Sequence, residues 1–363
     1  MYFPIIFFVA ILLSTIGVGL TKSVGQKYNL LVHPQPDRWH KKPIAIHGGF
    51  GFFPVFLILV FFTTALYSPI SDKTHLIAES GDFLYQHFTF LIALTGSSLI
   101  LFIFGWLDDL LHFRAITKIT VQLIVSLIFI IDAGTFRVSD YILINYLFTL
   151  FWFVGIINAI NFIDCVDSLC SGTIIIICLS LLAILLLNNS DISELFFIIN
   201  IIIILIGVLI GFIIFNFPPA KIFMGDSGSL SLGFIIAALA LPSEFNNFYG
   251  NSEIYSLSVI LIPISLLIYP IMDTSLVTMT RVIQNKKIYE GGKDHSSHRL
   301  ISLGFKEKYS LLICCSCSVV GGISAMFISR FQDIGILIFS ILALLMLLFG
   351  IYLGKYVFEN NNA

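Results

Sequence analysis

Charged side chains are scarce in this sequence, because Asp, Glu, Lys and Arg together make up 11% of its 363 residues. Soluble domains carry about 25% charged residues, so the composition excludes an ordinary water-soluble protein. Hydrophobic residues account for 58% of the chain, and the mean hydropathy is +1.01. Such a composition is typical of proteins that lie mostly within a lipid bilayer.

Other features are also missing. No Lys or Arg precedes the first apolar run and Lys22 follows it, which is the reverse of the order in a cleaved signal peptide. The six cysteines do not form the two successive Cys-x-x-Cys motifs of a zinc site, so we expect reduced thiols. No basic patch interleaved with aromatic residues indicates a nucleic-acid partner. Since there is no linker or repeat, we predict one transmembrane domain over residues 1–356 and a short polar tail at 357–363.

Apolar windows recur along the whole chain. A bilayer core needs about 20 apolar residues per helix, and eleven windows of roughly that length are present. They cover residues 2–20, 47–67, 88–107, 119–135, 141–159, 171–188, 194–215, 229–243, 254–280, 309–329 and 333–354. With the N-terminus outside, 16 of the 19 Lys and Arg residues fall in inner connectors, as the positive-inside rule requires. We therefore predict an all-α, polytopic membrane helical bundle of about 11 transmembrane helices, with the N-terminus outside and the C-terminus inside.

The first polar cluster is the pair Asp108 and Asp109 at the inner end of the third window. An ionised Asp within hydrocarbon costs about 2.5–3.5 kcal/mol, so two adjacent ones need water, cations or a function. A solvated helix end with basic partners is the alternative explanation. Lys118 and Gln122 are one helical turn apart, so we expect both to point to one face beneath the acids.

The second cluster repeats a polar residue every three positions, at Asn158, Asn161, Asp164 and Asp167. This spacing predicts side chains near one side of a helical turn. Carboxylate and amide oxygens gathered in this way suit a hard cation and its phosphate ligand. A helix-capping and turn cluster is the alternative, although it explains one Asp better than the repeated spacing.

The third cluster begins near Asn216 and contains a Pro-Pro break that ends the preceding apolar window. Lys221 offers a charge for a phosphate, and Gly225 and Gly228 are expected to let the backbone approach a ligand closely. Asp226, between these glycines, is the best single candidate for a metal ligand.

The fourth cluster lies in the longest inner connector and contains His295, His298 and Arg299. These side chains suit phosphate oxygens, whereas two histidines without a third ligand argue against zinc. A polar surface loop is the alternative. Asp273 lies in the ninth window, about two turns before Arg281, and a structural ion pair or a helix-orienting contact explains the two residues as well as catalysis does.

Together these motifs resemble the polyprenyl-phosphate N-acetylhexosamine-1-phosphate transferases of glycosyltransferase family 4, to which phospho-MurNAc-pentapeptide translocase is related. The matching stretches, in family order, are Arg38-Trp39-His40, Pro43, Gly48-Gly49, Asp108-Asp109, Asn158 to Asp167, Pro219 to Asp226, and His295 to Leu300. Two positions depart from the family pattern. Ser168 stands where the family has Gly, which is expected to narrow the nucleotide pocket, and Ser297 stands where a third His is frequent.

The resemblance implies a role for each motif residue. The catalytic residues would be Asp108, Asp109, Asp164, His295 and His298. The substrate-binding residues would be Lys42, Asn161, Asp167, Asn216, Lys221, Phe223 and Arg299. Mg²⁺, or alternatively Mn²⁺, would be held by Asp226 and Asn161 together with the UDP pyrophosphate. Phe223 would stack on the uracil, and Asp108 or Asp109 would engage or deprotonate the lipid phosphate.

The resemblance also implies an activity and a location. The enzyme would transfer GlcNAc 1-phosphate from UDP-GlcNAc to undecaprenyl phosphate at the cytoplasmic face of a bacterial inner membrane and would release UMP. The product would initiate a surface glycan such as O-antigen lipopolysaccharide or a cell-wall polymer, and a homodimer is one option for assembly. One alternative keeps the reaction and changes the donor to a modified HexNAc, such as QuiNAc, FucNAc or a diamino sugar. The other is a cation-coupled secondary transporter, which predicts acids at mid-span rather than at one face.

Overall fold

The computed structural model describes residues 2–33, 42–71, 80–188, 196–241, 257–288 and 292–361. These residues form thirteen helices and one short hairpin. The helices are α1 (Tyr2–Lys27), α2 (Gly49–Ser71), α3 (Ser80–Leu111), α4 (Ala115–Ala133), α5 (Ile142–Ile163), α6 (Leu169–Asn188), α7 (Phe196–Asn216), α8 (Asp226–Leu239), α9 (Leu257–Leu266), α10 (Ile268–Ile283), α11 (Ser296–Ser302), α12 (Glu307–Arg330) and α13 (Gln332–Asn361). Strands β1 (Leu31–Val32) and β2 (Ile44–Ala45) pair antiparallel.

The predicted all-α membrane architecture is confirmed. Within the described ranges, nine helices are long and apolar enough to cross a bilayer, and α9 with α10 forms a further bent pair. Each of the eleven predicted windows overlaps a described helix or, for the ninth, the bent pair α9 and α10, and α8 with 14 residues is shorter than the nine spanning helices. The side of the membrane on which each end lies stays a prediction.

The ninth window differs from expectation, because it contains two helices rather than one straight span. α9 and α10 meet at a 76° bend around Leu267. Pro270 has no backbone N–H, and its ring crowds the carbonyl four residues earlier, so the chain cannot continue α9 through this point. The bend gives α10 a direction of its own toward the polar connector.

The last helix is also longer than the sequence suggested. α13 continues to Asn361, so it includes most of the residues assigned to a polar tail at 357–363. Tyr356, Val357 and Phe358 extend the apolar run, which favours continued helix.

Burial is concentrated around α7 and α8. Every residue from Ser227 to Leu239 in α8 is buried, and this helix packs against α2, α3 and α5. By contrast, the apolar windows of α1 and α13 are only 22% buried, as expected for helices at the lipid boundary. The short helix α8 therefore begins inside the bundle, surrounded by the ends of longer helices.

Candidate active site

The start of α8 lies directly against the last turns of α3. A Cβ atom added to Gly105 of α3 would stand 2.4 Å from the Asp226 carbonyl oxygen, so this approach requires glycine. Since Asp108 and Asp109 follow on the same helix, the approach brings both acids to the first residue of α8.

Asp226 is the centre of a compact charged cluster. Its backbone N–H donates to Asp109 Oδ1 at 3.1 Å, and its Oδ1 accepts a hydrogen bond from Asn161 Nδ2 at 3.0 Å. Lys118 Nζ lies 3.3 Å from Asp226 Oδ2 and also forms an ion pair with Asp108. Side chains from α3, α4, α5 and α8 thus meet at one point. Lys118 was expected beneath the acids, but it was not among the predicted site residues.

His47 adds a group to which the sequence assigned no role. It is buried, and its Nδ1 lies 3.3 Å from Asp109 Oδ2. The next residue, Gly48, donates its N–H to the Phe223 carbonyl at 2.8 Å, and the Phe223 N–H donates to the Ala45 carbonyl at 2.8 Å. These backbone bonds fix the position of half-buried Phe223 beside the acidic cluster.

The polar repeat of the second cluster does not stay on one helical face. α5 ends at Ile163, so Asp164 caps the helix and Asp167 lies in the turn beyond it. Asn158 donates to Gln122 Oε1 at 2.6 Å, whereas Asp167 Oδ2 accepts the Ala220 N–H at 2.8 Å. The prediction of a shared face is therefore wrong for the last two members, because the helix ends before them.

Both carboxyls beyond α5 are shifted toward the protonated form. Burial raises the pKa of Asp164 well above its usual range, and the negative charges of Cys165, Asp226 and Asp109 add to this effect. Burial also raises the pKa of Asp167 to about 6, although the Ala220 N–H opposes the shift. Burial is thus the main cause of both shifts.

The two glycines around Asp226 lie directly against side chains of the protein. Gly225 has a φ of +80°, and a Cβ there would lie 2.7 Å from Asp109 Oδ2. A Cβ on Gly228 would lie 2.4 Å from Met224 Cγ. Each glycine thus leaves room for a side chain of the protein, and the expected close approach of a ligand stays a prediction.

Asn216 is fully engaged with backbone. Its Oδ1 accepts the Ser168 N–H at 2.7 Å, and its Nδ2 donates to the Ile222 carbonyl at 2.7 Å. The residue is buried and joins the turn after α5 to the segment before α8. Its expected contact with substrate stays a prediction.

The histidine arm, meaning residues 292–302, is not a surface loop. His295, His298 and Arg299 are all buried, which contradicts the alternative of a polar loop in solvent. The ring of His295 contacts Asp273, with Nδ1 2.8 Å from Oδ2. Arg281 forms two bonds to Asp294, at 2.7 and 2.8 Å.

Asp273 and Arg281 therefore do not pair with each other as a structural ion pair would require. Asp273 instead holds His295 and Ser296, and Arg281 holds Asp294, so the expectation of a helix-orienting contact is closer to the structure. Arg299 donates from Nε to the Asp294 carbonyl at 2.6 Å and from Nη2 to Thr280 Oγ1 at 2.8 Å. Its predicted contact with phosphate stays a prediction.

The acidic cluster and the arm meet at the end of α5. Asn161 contacts Asp226, and the next residue, Phe162, places its ring 6.0 Å from that of His295. Cys165 Sγ lies 3.7 Å from Ser297 Oγ in the arm. All six cysteines are free, as expected. Burial would raise the pKa of Cys165, but the imidazoles of His295 and His298 outweigh it and lower the pKa to about 6.

Comparison with known proteins adds the family. Residues 91–244 match the profile of glycosyl transferase family 4. A probable undecaprenyl-phosphate N-acetylglucosaminyl 1-phosphate transferase from Bacillus subtilis is 30% identical over 329 residues, which are 88% of this chain and 83% of that protein. The chain belongs to glycosyl transferase family 4. The family predicted from the motifs is thereby confirmed, and the chain is a transferase.

Two other relatives of the family are similar over different lengths. Decaprenyl-phosphate N-acetylglucosaminephosphotransferase from Mycobacterium leprae is 26% identical over 84% of this chain and 78% of its own length. Phospho-N-acetylmuramoyl-pentapeptide-transferase from Streptococcus agalactiae is 37% identical over 52% of this chain and 57% of its own length.

The donors around Asp226 fit a magnesium ion. No group of three or more His, Cys, Asp or Glu side chains placed to hold a metal occurs among the described residues. Mg²⁺, however, is usually bound by one or two carboxylates while phosphates and water complete its shell. The Asp226 side chain is 30% exposed, and Asn161 orients its carboxylate.

Other predicted residues have less defined surroundings. Lys42 and Lys221 are exposed and lie in the segments before α2 and α8. The motif residues Arg38, Trp39 and His40 lie outside the described residues. Roles for all of these stay predictions.

Proposed function

We propose that the chain transfers GlcNAc 1-phosphate from UDP-GlcNAc to undecaprenyl phosphate, giving undecaprenyl-diphosphate-GlcNAc and UMP. The observation that carries the proposal is the convergence of Asp109, Lys118 and Asn161 on Asp226 in a family 4 transferase. Two relatives support the choice of substrates. The B. subtilis relative is named as a probable undecaprenyl-phosphate N-acetylglucosaminyl 1-phosphate transferase, and the M. leprae relative as a decaprenyl-phosphate N-acetylglucosaminephosphotransferase.

The position of the cluster suits both substrates. The polyprenyl tail keeps its phosphate at the membrane boundary, whereas the nucleotide sugar arrives from water. The cluster lies where α3 and α5 end and α8 begins, so a lipid phosphate and a soluble nucleotide can reach it together. We place this end at the cytoplasmic face of a bacterial inner membrane, and a homodimer stays a prediction.

The reaction brings two negatively charged phosphates together. In our proposal, an oxygen of the lipid phosphate attacks the β-phosphorus of the UDP-sugar. The bond from this phosphorus to the bridging oxygen breaks, and UMP leaves with that oxygen. Lys118 and the N-terminus of α8 supply positive charge or potential at this point, and Lys221 is an exposed cation nearby in sequence.

The acidic residues have separate parts in this proposal. Asp109 accepts the Asp226 N–H and would engage the lipid phosphate or accept a proton from it. Asp226, oriented by Asn161, would hold Mg²⁺, with Mn²⁺ as a substitute. When bound, the ion would neutralise phosphate charge. A covalent phospho-Asp intermediate is the mechanistic alternative, and trapping a labelled protein adduct would favour it.

The test uses purified protein with undecaprenyl phosphate, Mg²⁺ and a panel of UDP-sugars, and it measures release of UMP. UDP-GlcNAc should give the highest rate, and Asp226→Ala should abolish it. Asp333→Ala is the matched control, because this exposed Asp begins α13 at the far end of α12. A higher rate with a modified HexNAc donor would change the substrate assignment. Transport without UMP release, or equal loss in both variants, would contradict the proposal.

A further inference from the structure

Asp273 is a fully buried carboxylate to which the proposed reaction gives no part. It is 0% exposed, and both of its oxygens are occupied by the histidine arm. Oδ2 lies 2.8 Å from His295 Nδ1, and Oδ1 accepts the backbone N–H of Ser296 at 2.7 Å. One side chain thus fixes both the ring and the first residue of α11.

The bend before α10 makes this contact possible. Because α10 leaves α9 at 76°, Asp273 lies beneath the start of α11, and Arg281 follows two turns later on the same helix. Arg281 binds Asp294 through two nitrogens at 2.7 and 2.8 Å. α10 therefore holds Asp294, His295 and Ser296 at two separate points, and this leaves little freedom for the imidazole.

The charge around His295 comes from several elements. Asp273 faces it from α10, Asp294 from the connector, Cys165 from the turn after α5, and His298 from α11. Burial alone would lower the pKa of His295, but the negative Cys165 and Asp273 outweigh it and raise the pKa well above 6.5.

Another cation also lies close to the ring. Arg281 stands 5.8 Å from the Phe162 ring, whose edge faces His295. Despite this neighbour, the net effect on His295 favours the imidazolium at neutral pH. Asp273 takes Nδ1, and the Cys165 side chain is a further hydrogen-bond partner of the ring.

We propose that Asp273 is a positioning residue that holds the His295 ring as a cation beside the acidic cluster, where its charge acts on the phosphate oxygens of a bound substrate. This proposal rests on the phosphate-transfer function above. It assigns the arm a rigid electrostatic part at the site and explains why an acid is buried on a membrane helix, where an unpaired charge is costly.

The decisive variant is Asp273→Asn, which keeps the size of the side chain and removes its charge. We expect kcat for UMP release to fall about 10- to 100-fold, because a charge-assisted hydrogen bond is lost. We also expect activity to be lost at a lower pH on the alkaline side than in the wild type, because one of the two negative charges that raise the pKa of His295 is gone. The wild type should show no such loss until a considerably higher pH.

The control is Ser265→Ala on α9. It removes another buried hydrogen bond, from Ser265 Oγ to the Gly321 carbonyl at 3.1 Å, without touching the arm. Its pH profile should match the wild type even if its thermal stability falls. If Asp273→Asn lowers activity by one factor at every pH, its effect is structural and the proposal is overturned.

A spectroscopic measurement separates this proposal from the proposed function. In protein labelled with ¹⁵N-histidine, the His295 signals can be assigned by their loss in His295→Gln. We expect a doubly protonated ring at pH 7.5 in the wild type and a smaller protonated fraction in Asp273→Asn. This result does not depend on finding the right donor. A neutral His295 in the wild type would overturn the proposal even if transfer is observed.

Discussion

Replacing Gly225 by alanine should slow the enzyme by acting on a single carboxylate. Gly225 precedes α8 with φ +80° and ψ 165°, a region that is almost restricted to glycine. The new Cβ would stand 2.7 Å from Asp109 Oδ2, whereas ordinary contacts begin at 3.4 Å. Asp109 would therefore have to retreat, and its bond from the Asp226 N–H, now 3.1 Å, would weaken or break.

The structure sets the size of two separate effects. An alanine in this backbone conformation should lower the free energy of unfolding by about 1–3 kcal/mol, whatever surrounds its side chain. Loss of a hydrogen bond to a charged group is worth about 1.5–3 kcal/mol. If the bond matters in the transition state, this corresponds to a rate about 10- to 100-fold lower.

Gly134 provides a matched control for the backbone effect. It follows α4 with φ 87° and ψ 179°, and a Cβ there would meet nothing within 4 Å. Gly134→Ala should thus lose thermal stability in detergent through the backbone effect alone and keep UMP release, while Gly225→Ala should lose at least as much stability and also UMP release. Equal activity in the two variants would refute the role given to the Asp109 contact.

Three further predictions concern the turn after α5 and its neighbours. Asn161→Ala removes the bond that orients Asp226, so kcat for UMP release should fall about tenfold or more, and an unchanged kcat would oppose this orientation role. Ser168 has φ +60°, so Ser168→Gly should raise the free energy of unfolding by about 1 kcal/mol, and a lower melting temperature would contradict the strain argument. Because burial raises the pKa of Asp167 from 3.8 to about 6, the folded protein binds the extra proton and its stability falls as pH rises between these values. Asp167→Asn cannot titrate, so the stability difference between the variant and the wild type should move in favour of the variant across that window and then stay constant. A constant difference from pH 4 to 7 would count against the shift.

Much of the architecture follows from the sequence, because apolar length alone predicts membrane helices. The acidic residues were also correctly expected to converge, and Asp226 contacts both Asp109 and Asn161. Patterned polar residues at the ends of long apolar segments have few structural explanations, since an unpaired charge near hydrocarbon is costly.

The partners of those residues could not be predicted in the same way. An ion pair with Arg281 was one interpretation of Asp273, but its partner is His295, which is distant in sequence and lies beside α10 because α10 leaves α9 at a bend. The contact between Gly225 and Asp109 depends on how closely α3 approaches α8, which Gly105 permits. Such contacts arise from packing between helices, so the spacing of residues along the sequence does not predict them. An acidic residue inside an apolar window is costly to bury unless it has a cationic partner. For Asp273, this was the signal in the sequence that such a partner exists.

The central claim is that this cluster transfers a sugar together with its phosphate to a lipid. UDP-GlcNAc labelled with ³²P in the β-phosphate, incubated with purified protein and undecaprenyl phosphate, tests it most directly. We predict that the label enters the lipid fraction with one UMP released per lipid product, and that Asp226→Asn prevents both. Release of labelled UDP with unlabelled lipid, or label that remains wholly in the aqueous fraction, would contradict the claim.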